Sequence, residues 1–402
     1  MEYSLSPDLL LNTARTHGTP VYVYDAAVIT RQYRKLEQAF SVLDARIFYA
    51  CKALTNIHVL RHVRSLGCNA DCSSINEVKL ALLAGFEPGQ ILYTSNGIAF
   101  AEIEEAAEAG VHVNIDSLSN LEKFGQRYGG SRPVGIRLRP NILAGGNLKI
   151  STGHEKSKFG IPVDQISSVL ELVQRHHLHI RTLHIHTGSD IKDADVFIRG
   201  LEVLFELLPA FPHLEVLDLG GGFKVPYHPS EQETDVERLA HKLKEALASH
   251  DQSRSRNLQV WFEPGKFLVS ACGYLLATVQ VMKQNGDVEI AGVDTGLNHL
   301  IRPMMYDAYH HITNLSNPGG ALRNYMITGN VCETDTFADD RPVAQIREGD
   351  ILVIHNAGAY GYEMSSQYNS RFRPPEVLVK DGEPVLIRRR DTLDDLLRNQ
   401  AL

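Results

Sequence analysis

The chain has 402 residues, of which 43% are hydrophobic and 22% are charged, and its formal net charge is -8. At roughly 100–200 residues per domain, this length predicts two or three domains with ample material for a hydrophobic core. The acidic balance argues against a nucleic-acid-binding or anionic-membrane-binding surface, because such surfaces need a basic face. A local basic pocket for a small anion is compatible with it.

The cysteines and the hydropathy pattern together predict a cytoplasmic protein. An odd number of widely scattered cysteines does not indicate a disulfide framework. No apolar run approaches the roughly 18 residues of a membrane span, and no basic segment followed by an apolar one marks a signal peptide. The cysteines are Cys51, Cys68, Cys72, Cys272 and Cys332.

Apolar, β-branched runs alternate with helix-like segments over the first two thirds of the chain. Segment 20–25 has the pattern of a strand, and segments 76–86 and 166–177 have apolar residues at a spacing near 3.6. Eight further strands are predicted at 45–50, 69–72, 91–94, 112–115, 134–138, 181–186, 214–219 and 259–263. Strands that alternate with helices form parallel units, and eight of them favour an α/β fold with a closed (β/α)8 barrel over an open sheet.

The pattern changes after about residue 265. The remaining strands are predicted at 274–283, 288–293, 325–331, 350–356 and 375–390. Short turns and irregular stretches join them, and Asp381-Gly382 between two apolar runs predicts a hairpin. We therefore expect a barrel domain over 21–265 and a mostly β domain over 266–402.

Residues that follow the barrel strands are the candidates for chemistry, because barrel active sites lie at the C-terminal ends of strands. Lys52 follows the first strand. It is either a solvated loop lysine or an amine that forms a Schiff base. The glycines 220–222 follow the seventh strand and form either a flexible turn or a phosphate cradle, to which Ser189 can add a donor.

Two histidines near the end of the sixth strand leave a metal site open as an alternative. His184 and His186 are two residues apart and share one face of the strand. Both can be ordinary core histidines, or they can bind a metal together with Asp71 and Glu263. A metal-dependent barrel hydrolase is therefore one hypothesis.

Glu263, at the end of the eighth strand, separates the hypotheses when it is considered with its neighbours. Alone it predicts a structural salt bridge. Opposite a lysine that forms a Schiff base and a phosphate cradle, a carboxylate can keep a pyridine nitrogen protonated. The combination favours a pyridoxal phosphate site, because a metal site leaves Lys52 and the glycines unexplained.

Several separated motifs, in order along nearly the whole chain, resemble the diaminopimelate decarboxylase family of pyridoxal-phosphate decarboxylases with an alanine-racemase-like fold. The motifs are FYACKA (48–53), HIHTGSD (184–190), LGGGF (219–223), EPGKFLV (263–269), VDTGLNHLIRPMMYDAYH (293–310), CETD (332–335) and GAYGYEMSSQYNSRFRPPEVLV (358–379). The resemblance implies a (β/α)8 barrel that binds pyridoxal 5'-phosphate, and a β-rich domain that also takes in residues 1–20.

The resemblance also implies the roles of cofactor-binding residues. Lys52 holds the cofactor covalently, His186 stacks on its ring, and Glu263 contacts the ring nitrogen. The complete set of predicted cofactor-binding residues adds those at the other strand ends and in the β domain, which are Asp71, Ser189, Gly221, Gly222, Gly265 and Tyr360.

For the substrate, the resemblance implies decarboxylation of meso-2,6-diaminopimelate to L-lysine and carbon dioxide by a homodimer with shared active sites. Cys332, which donates a proton, and Glu333, which binds substrate, then come from the partner subunit. The other implied substrate-binding residues are Lys266, Arg302, Tyr306 and Tyr360.

Three positions depart from the family pattern, and several related functions stay open. Lys266 stands where the family has arginine, and Asn330-Val331 and Thr334-Asp335 replace the usual neighbours of the cysteine. An ornithine- or arginine-type decarboxylase of the same fold is the nearest alternative, but its substrates have no distal carboxylate for Arg302. Glu263 at the ring nitrogen disfavours an amino-acid racemase. Retention of Lys52, Glu263 and Cys332 disfavours a non-catalytic binding protein.

Overall fold

The structure, a computed structural model, describes residues 3–140, 142 and 157–401. They form two compact units. One comprises 31–225 and 232–267, and we call it the barrel unit. The other comprises 1–30, 226–231 and 268–402, and we call it the β unit. None of the described helices is both long enough and apolar enough to cross a membrane.

Helices and strands alternate along the first two thirds of the chain, and strands predominate in the last third. The helices of the described residues are α1 (Pro7–His17), α2 (Ala26–Phe40), α3 (Ile57–Ser65), α4 (Ile75–Ala84), α5 (Phe100–Glu108), α6 (Leu118–Tyr128), α7 (Ile166–His176), α8 (Ala194–Leu207), α9 (Val236–Ser249), α10 (Asp251–Arg256), α11 (Lys266–Val269), α12 (Arg302–Tyr306) and α13 (Leu393–Leu397). The strands are β1 (Val21–Asp25), β2 (Ala45–Ala50), β3 (Asn69–Cys72), β4 (Ile91–Thr94), β5 (His112–Ile115), β6 (Pro133–Arg139), β7 (Ile161–Pro162), β8 (His179–Ile185), β9 (Val216–Asp218), β10 (Gln259–Phe262), β11 (Gly273–Asn285), β12 (Val288–Val293), β13 (Ile312–Asn314), β14 (Leu322–Thr328), β15 (Thr336–Ala344), β16 (Ile351–Ile354), β17 (Glu376–Lys380) and β18 (Glu383–Arg388).

The barrel unit contains a closed sheet of eight parallel strands. The strands run in the order β2, β3, β4, β5, β6, β8, β9 and β10, and β10 pairs with β2 to close the ring. The short strand β7 adds to β6 outside that ring. This confirms the predicted (β/α)8 barrel, and the bounds of all eight predicted strands lie within two residues of the observed ones.

Local sequence signals explain why the helices between these strands begin and end where they do. For α4, the Ser74 hydroxyl accepts the backbone N–H of Glu77 at 3.2 Å, which caps the first turn. Gly85 ends the helix with a φ of 99°, in the left-handed region that glycine enters without steric cost. The sequence around α4 therefore determines where this helix begins and ends.

The interior of the barrel contains an apolar cluster built from four different strands. Its members are Phe48, Leu92, Val216 and Trp261, all 0% exposed. The rings of Phe48 and Trp261 lie 4.6 Å apart between centroids. Burial of these apolar side chains stabilises the packing of the barrel strands that also carry the polar groups.

The β unit is built around a mostly antiparallel sheet in the order β15, β14, β12, β11, β1, β17 and β18, with β16 also paired to β11 and to β13. The strand β1, which had the pattern of a further barrel strand, pairs antiparallel with β11 and parallel with β17. The mostly β character predicted for the second domain is thereby confirmed. The Asp381-Gly382 hairpin is confirmed too, with φ values of 53° and 84° between β17 and β18.

Two strands of the β unit were missed by the sequence analysis. The strand β15 contains Asp339, Asp340 and Pro342, all of which are unfavourable in strands. Pairing with β14 overrides that local preference. The strand β13 has only three residues, too few for a periodic pattern.

We predict that truncation inside the barrel is much more costly than truncation on its surface. Leu92→Ala should lower the free energy of unfolding by about 2–5 kcal/mol, because it leaves a cavity among fully buried side chains. Leu83→Ala is the matched control, since Leu83 is 66% exposed on α4 and its truncation should change stability by less than about 0.5 kcal/mol. Urea denaturation measures both, and equal losses would contradict the assigned core.

Candidate active site

Lys52 lies on the short turn that follows β2, at the C-terminal end of the barrel. Its Nζ donates to the Asp71 carboxylate at 3.1 Å and to the Ser73 hydroxyl at 3.3 Å. The Lys52 side chain is 44% exposed, whereas that of Asp71 is 1% exposed. A buried carboxylate at the end of β3 therefore orients an amine that stays accessible.

A group of buried polar side chains lies at the ends of β8, β9 and β10. One ligand-type atom each from His184, Asp218 and Glu263 lies within 4.8 Å of the others. The His184 Nε2 and a Glu263 carboxylate oxygen are 3.6 Å apart. The second oxygen, Glu263 Oε1, has no hydrogen-bond partner within the described chain. Three titratable groups thus share one dehydrated space.

Burial controls the protonation of this group. It raises the pKa of Asp218 to about 7 and, with the nearby carboxyl of Asp218, raises that of Glu263 well above its ordinary value. Burial lowers the pKa of His184 well below its ordinary value, and the positive charge of Arg137 adds to the effect. Burial therefore favours the uncharged form of all three side chains.

Arg137 is the cationic counterpart of these acids inside the barrel. It lies on β6, is 8% exposed, and its guanidinium carbon is 4.8 Å from the centroid of the Phe159 ring. Burial lowers its pKa, while the carboxyls of Glu263 and Asp116 oppose that shift. A buried cation among several acids reduces the cost of holding their negative charge.

The loops after β8, β9 and β10 pack with their backbones in direct contact. A Cβ atom at Gly221 would lie 2.2 Å from the backbone oxygen of Glu263, and one at Gly222 would lie 2.1 Å from that of Gly188. The Gly221 N–H donates to His186 Nδ1 at 3.2 Å. This leaves the proton of the neutral ring on Nε2, and burial lowers the pKa of His186 to about 3.

The segment after β10 joins this group to the Lys52 turn. The Ala50 N–H donates to the Pro264 oxygen at 3.1 Å, and a Cβ at Gly265 would contact the Cβ of Ala50 at 3.0 Å. Lys266 forms an ion pair with Asp190, which follows β8. Ser189, beside Asp190, is half-buried.

Arg302 begins α12 in the β unit, and it has neutral neighbours. It is 7% exposed, and its Nη1 donates to His310 Nε2 at 3.1 Å. Its guanidinium carbon lies 4.5 Å from the centroid of the Tyr227 ring. Among the described residues, no carboxylate forms an ion pair with it. Tyr306, at the end of α12, is half-buried.

The turn that carries Cys332 and Glu333 is exposed on the β unit. The Cys332 N–H donates to the Asn369 side chain at 2.9 Å, and the Tyr368 hydroxyl donates to Glu333 at 2.8 Å. The neighbouring Asp335 is 4% exposed, and its carboxylate accepts the Val331 N–H at 3.4 Å. This hydrogen bond stabilises the turn on its buried side. The backbone at Cys332 and the side chain of Glu333 are therefore held by hydrogen bonds, and both side chains are exposed.

Tyr360 lies in the loop between β16 and β17 of the β unit. It is half-buried and its φ is 54°, a left-handed conformation that is unfavourable for a bulky residue. Such strain is found where the surroundings hold a side chain in one required direction.

The structure brings most of the predicted cofactor-binding residues to one end of the barrel and places Tyr360, Arg302, Tyr306, Cys332 and Glu333 in the β unit. The proposed metal ligands are only partly grouped, because the observed donor set contains Asp218 in place of His186 and Asp71. The sequence pattern did not single out Asp218 or Arg137. Each is a charged residue inside an apolar strand, and that contrast was the available signal.

Known proteins are similar to this chain in both sequence and fold. Residues 26–270 match the family "Pyridoxal-dependent decarboxylase, pyridoxal binding domain". The diaminopimelate decarboxylase of Methanothermobacter thermautotrophicus is 39% identical over 96% of this chain and 92% of that protein, and the one of Escherichia coli K12 is 36% identical over 99% and 97%. The crystal structure of diaminopimelate decarboxylase from Helicobacter pylori complexed with L-lysine superimposes with a TM-score of 0.88 at 31% identity, covering 97% of this chain and 98% of that one.

We predict a stability signature for the buried acid on β9. Its folded pKa of about 7 exceeds the value of about 3.9 in an unfolded chain, so the folded state binds more protons between those values. The Asp218 contribution to stability is therefore lost as pH rises from about 4 to about 7. Relative to wild type, Asp218→Asn should gain in free energy of unfolding between about pH 5 and pH 7.5.

Urea denaturation of cofactor-free protein at the two pH values measures this difference. Asp164→Asn removes an exposed carboxylate of the same unit and is the control, expected to parallel wild type. If Asp218→Asn also parallels wild type, Asp218 is not a buried acid with a raised pKa.

Proposed function

The chain belongs to the diaminopimelate decarboxylase family of pyridoxal-dependent decarboxylases, and from this premise we propose how its residues perform the family's reaction. It decarboxylates meso-2,6-diaminopimelate to L-lysine and carbon dioxide, the last step of lysine biosynthesis. The Helicobacter pylori relative was crystallised with L-lysine, the product of this reaction.

The observation that supports this substrate best is the environment of Arg302. A guanidinium that is 7% exposed and has neutral partners has lost its hydration without gaining a compensating anion. The distal carboxylate of diaminopimelate is such an anion, and a planar guanidinium binds it with two parallel hydrogen bonds. Ornithine and arginine have no distal carboxylate, so this arrangement disfavours them.

The polar groups at the end of the barrel fit pyridoxal 5'-phosphate. Glu263 has a buried carboxyl oxygen without a partner among the described residues, and it would hold the ring nitrogen protonated. His186, fixed by the Gly221 N–H, would lie against the ring. Gly221, Gly222 and Ser189 would serve the phosphate. When bound, the cofactor supplies an aldehyde that captures an amine and a ring that accepts electrons as carbon dioxide leaves.

Lys52 is the residue that would hold the cofactor covalently. The Lys52 amine donates a hydrogen bond to the carboxylate of Asp71 at the end of β3. That carboxylate is almost fully buried, so it fixes the direction of the amine. Because the Lys52 side chain is partly exposed, a substrate amine would be able to approach the position that its Nζ occupies. The Asp71 carboxylate would then remain beside the released lysine as a proton acceptor.

Substrate binding and protonation are assigned to the β unit and to Lys266. Arg302 binds the distal carboxylate, Glu333 the distal ammonium, and Cys332 donates the proton that replaces the lost carboxylate. Lys266 is already neutralised by Asp190. It therefore contributes less to carboxylate binding than the arginine usual in the family, and Arg302 carries more of that task.

We assign the protein to the cytoplasm and to a homodimer in which Cys332 and Glu333 act in the partner subunit's site. The exposure of both side chains on an ordered turn supports a role outside their own chain. The scattered cysteines, four of them buried and all of them unpaired, support a reducing compartment.

The substrate assignment is tested by replacing the distal-carboxylate ligand. Arg302→Ala should lower kcat/KM for meso-diaminopimelate by about 30-fold to several thousand-fold, equivalent to about 2–5 kcal/mol for a buried charged contact. Arg323→Ala, an exposed arginine of the same unit, is the control and should leave the constant unchanged. Steady-state kinetics with ornithine in parallel completes the test, and faster turnover of ornithine by wild type would refute the assignment.

The shared site is tested by mixing two inactive variants. Lys52→Ala and Cys332→Ala should each be nearly inactive, but a mixed dimer contains one site with both defects and one with neither. Random exchange of equal amounts makes about half of the dimers mixed, so about a quarter of wild-type activity should return. Co-expression with two tags isolates the mixed dimers. If they stay inactive although each parent folds and binds cofactor, Cys332 does not act in the partner's site.

A further inference from the structure

We propose that His310 is a positioning residue that directs the guanidinium of Arg302 toward the distal carboxylate of the substrate, and so contributes to substrate specificity. The proposal rests on the proposed function. His310 is not expected to touch the substrate. It acts through Arg302, as a neutral acceptor that fixes the direction of the guanidinium without cancelling its charge.

The hydrogen bonds of His310 determine its tautomer. Its Nδ1 lies 2.8 Å from the backbone oxygen of His355, and a carbonyl oxygen only accepts, so Nδ1 carries the proton. Its Nε2 lies 3.1 Å from Nη1 of Arg302, and a guanidinium only donates, so Nε2 offers its lone pair. Both contacts are compatible with one neutral tautomer, in which Nδ1 donates to His355 and Nε2 accepts from Arg302.

The identity of the neighbour decides what Arg302 can do. A carboxylate in place of His310 would orient the guanidinium but would also neutralise it. The imidazole accepts one N–H and leaves the full positive charge for a ligand. On another side the Tyr227 ring lies 4.5 Å from the guanidinium carbon, a second contact that adds no charge.

The surroundings of His310 are themselves rigid. The Arg341 side chain donates to the His310 backbone oxygen at 2.8 Å, and its guanidinium carbon lies 4.0 Å from the ring of Tyr309. The Tyr227 hydroxyl is 2.9 Å from the Ser270 hydroxyl. His310 is 1% exposed. Its ring therefore has little freedom to follow Arg302 if Arg302 moves.

A short stretch of sequence produces this pair. The helix α12 ends after one turn because Asp307 adopts a φ of 53°, and its N–H caps the Arg302 backbone oxygen. The Ala308 N–H also points at that oxygen, at 3.4 Å. This reversal brings residue 310 back beside residue 302, although the two are eight positions apart.

Two substitutions separate the contact with Arg302 from the contact with His355. In His310→Asn the shorter amide can still donate to His355 but cannot reach Arg302. In His310→Gln the longer amide can present its oxygen to Arg302. We expect His310→Asn to raise KM for meso-diaminopimelate about tenfold with kcat changed less than about threefold, as expected for loss of one hydrogen bond to a charged group. His310→Gln should restore most of the loss.

The decisive comparison uses the Arg302→Ala background. If His310 acts through Arg302, His310→Asn should leave the already reduced kcat/KM of Arg302→Ala unchanged, since no guanidinium remains to be oriented. Thermal unfolding and the cofactor absorption spectrum check that each variant folds and binds cofactor. A purely structural role would instead lower Tm, change kcat with KM, and give the same factor in both backgrounds.

The possible outcomes are distinct. An unchanged KM in His310→Asn, equal defects in the Asn and Gln variants, or an additive effect in the Arg302→Ala background would each overturn the positioning role while wild type remains active. Absence of wild-type activity on meso-diaminopimelate would overturn the proposed function, and this inference with it.

Discussion

The arrangement of charges in this protein depends on the burial of three titratable side chains at one end of a closed barrel. In the absence of solvent, Glu263, Asp218 and His184 cannot all carry their ordinary charges, so burial raises the pKa values of the acids and lowers that of the histidine. Arg137 offsets part of the cost from inside the same space. The Oε1 atom of Glu263 is buried and has no hydrogen-bond partner among the described residues, so this carboxyl group is suited to the contact with a ring nitrogen that we propose for the cofactor.

The same physical constraint is solved differently in the β unit. Arg302 is buried like Arg137, but its contacts are an imidazole lone pair and an aromatic face. In the barrel unit several carboxyl groups lie near Arg137 and partly compensate its buried charge, whereas Arg302 in the β unit forms no ion pair with a carboxylate among the described residues. This difference supports the proposed roles, with the cofactor held in the barrel unit and a substrate carboxylate held by Arg302. Under the proposed function, Arg302 supplies the carboxylate ligand even though Lys266, which stands where the family has arginine, is paired with Asp190.

Much of the fold and part of the site could be predicted because their signals are local. The alternation of strands and helices predicted the barrel, and Lys52 and Glu263 stood out as charged residues directly after apolar strands. Asp218 and Arg137 were passed over because they lie within strands, where a single charge resembles an interruption of the pattern. The strand β15 was missed because Asp339, Asp340 and Pro342 oppose strand formation locally, and only its pairing with β14 compensates.

By itself the sequence determined the order of the elements, the residue types at the strand ends and the family, because these depend on periodicity and on motifs that are contiguous in the chain. Only the tertiary structure decided which of those groups share a dehydrated space. It placed Asp218 rather than His186 beside His184 and Glu263, paired Lys266 with Asp190, and brought His310 back onto Arg302. The reason is that burial and proximity across strands and turns set protonation and charge, and neither quantity is a property of any one segment.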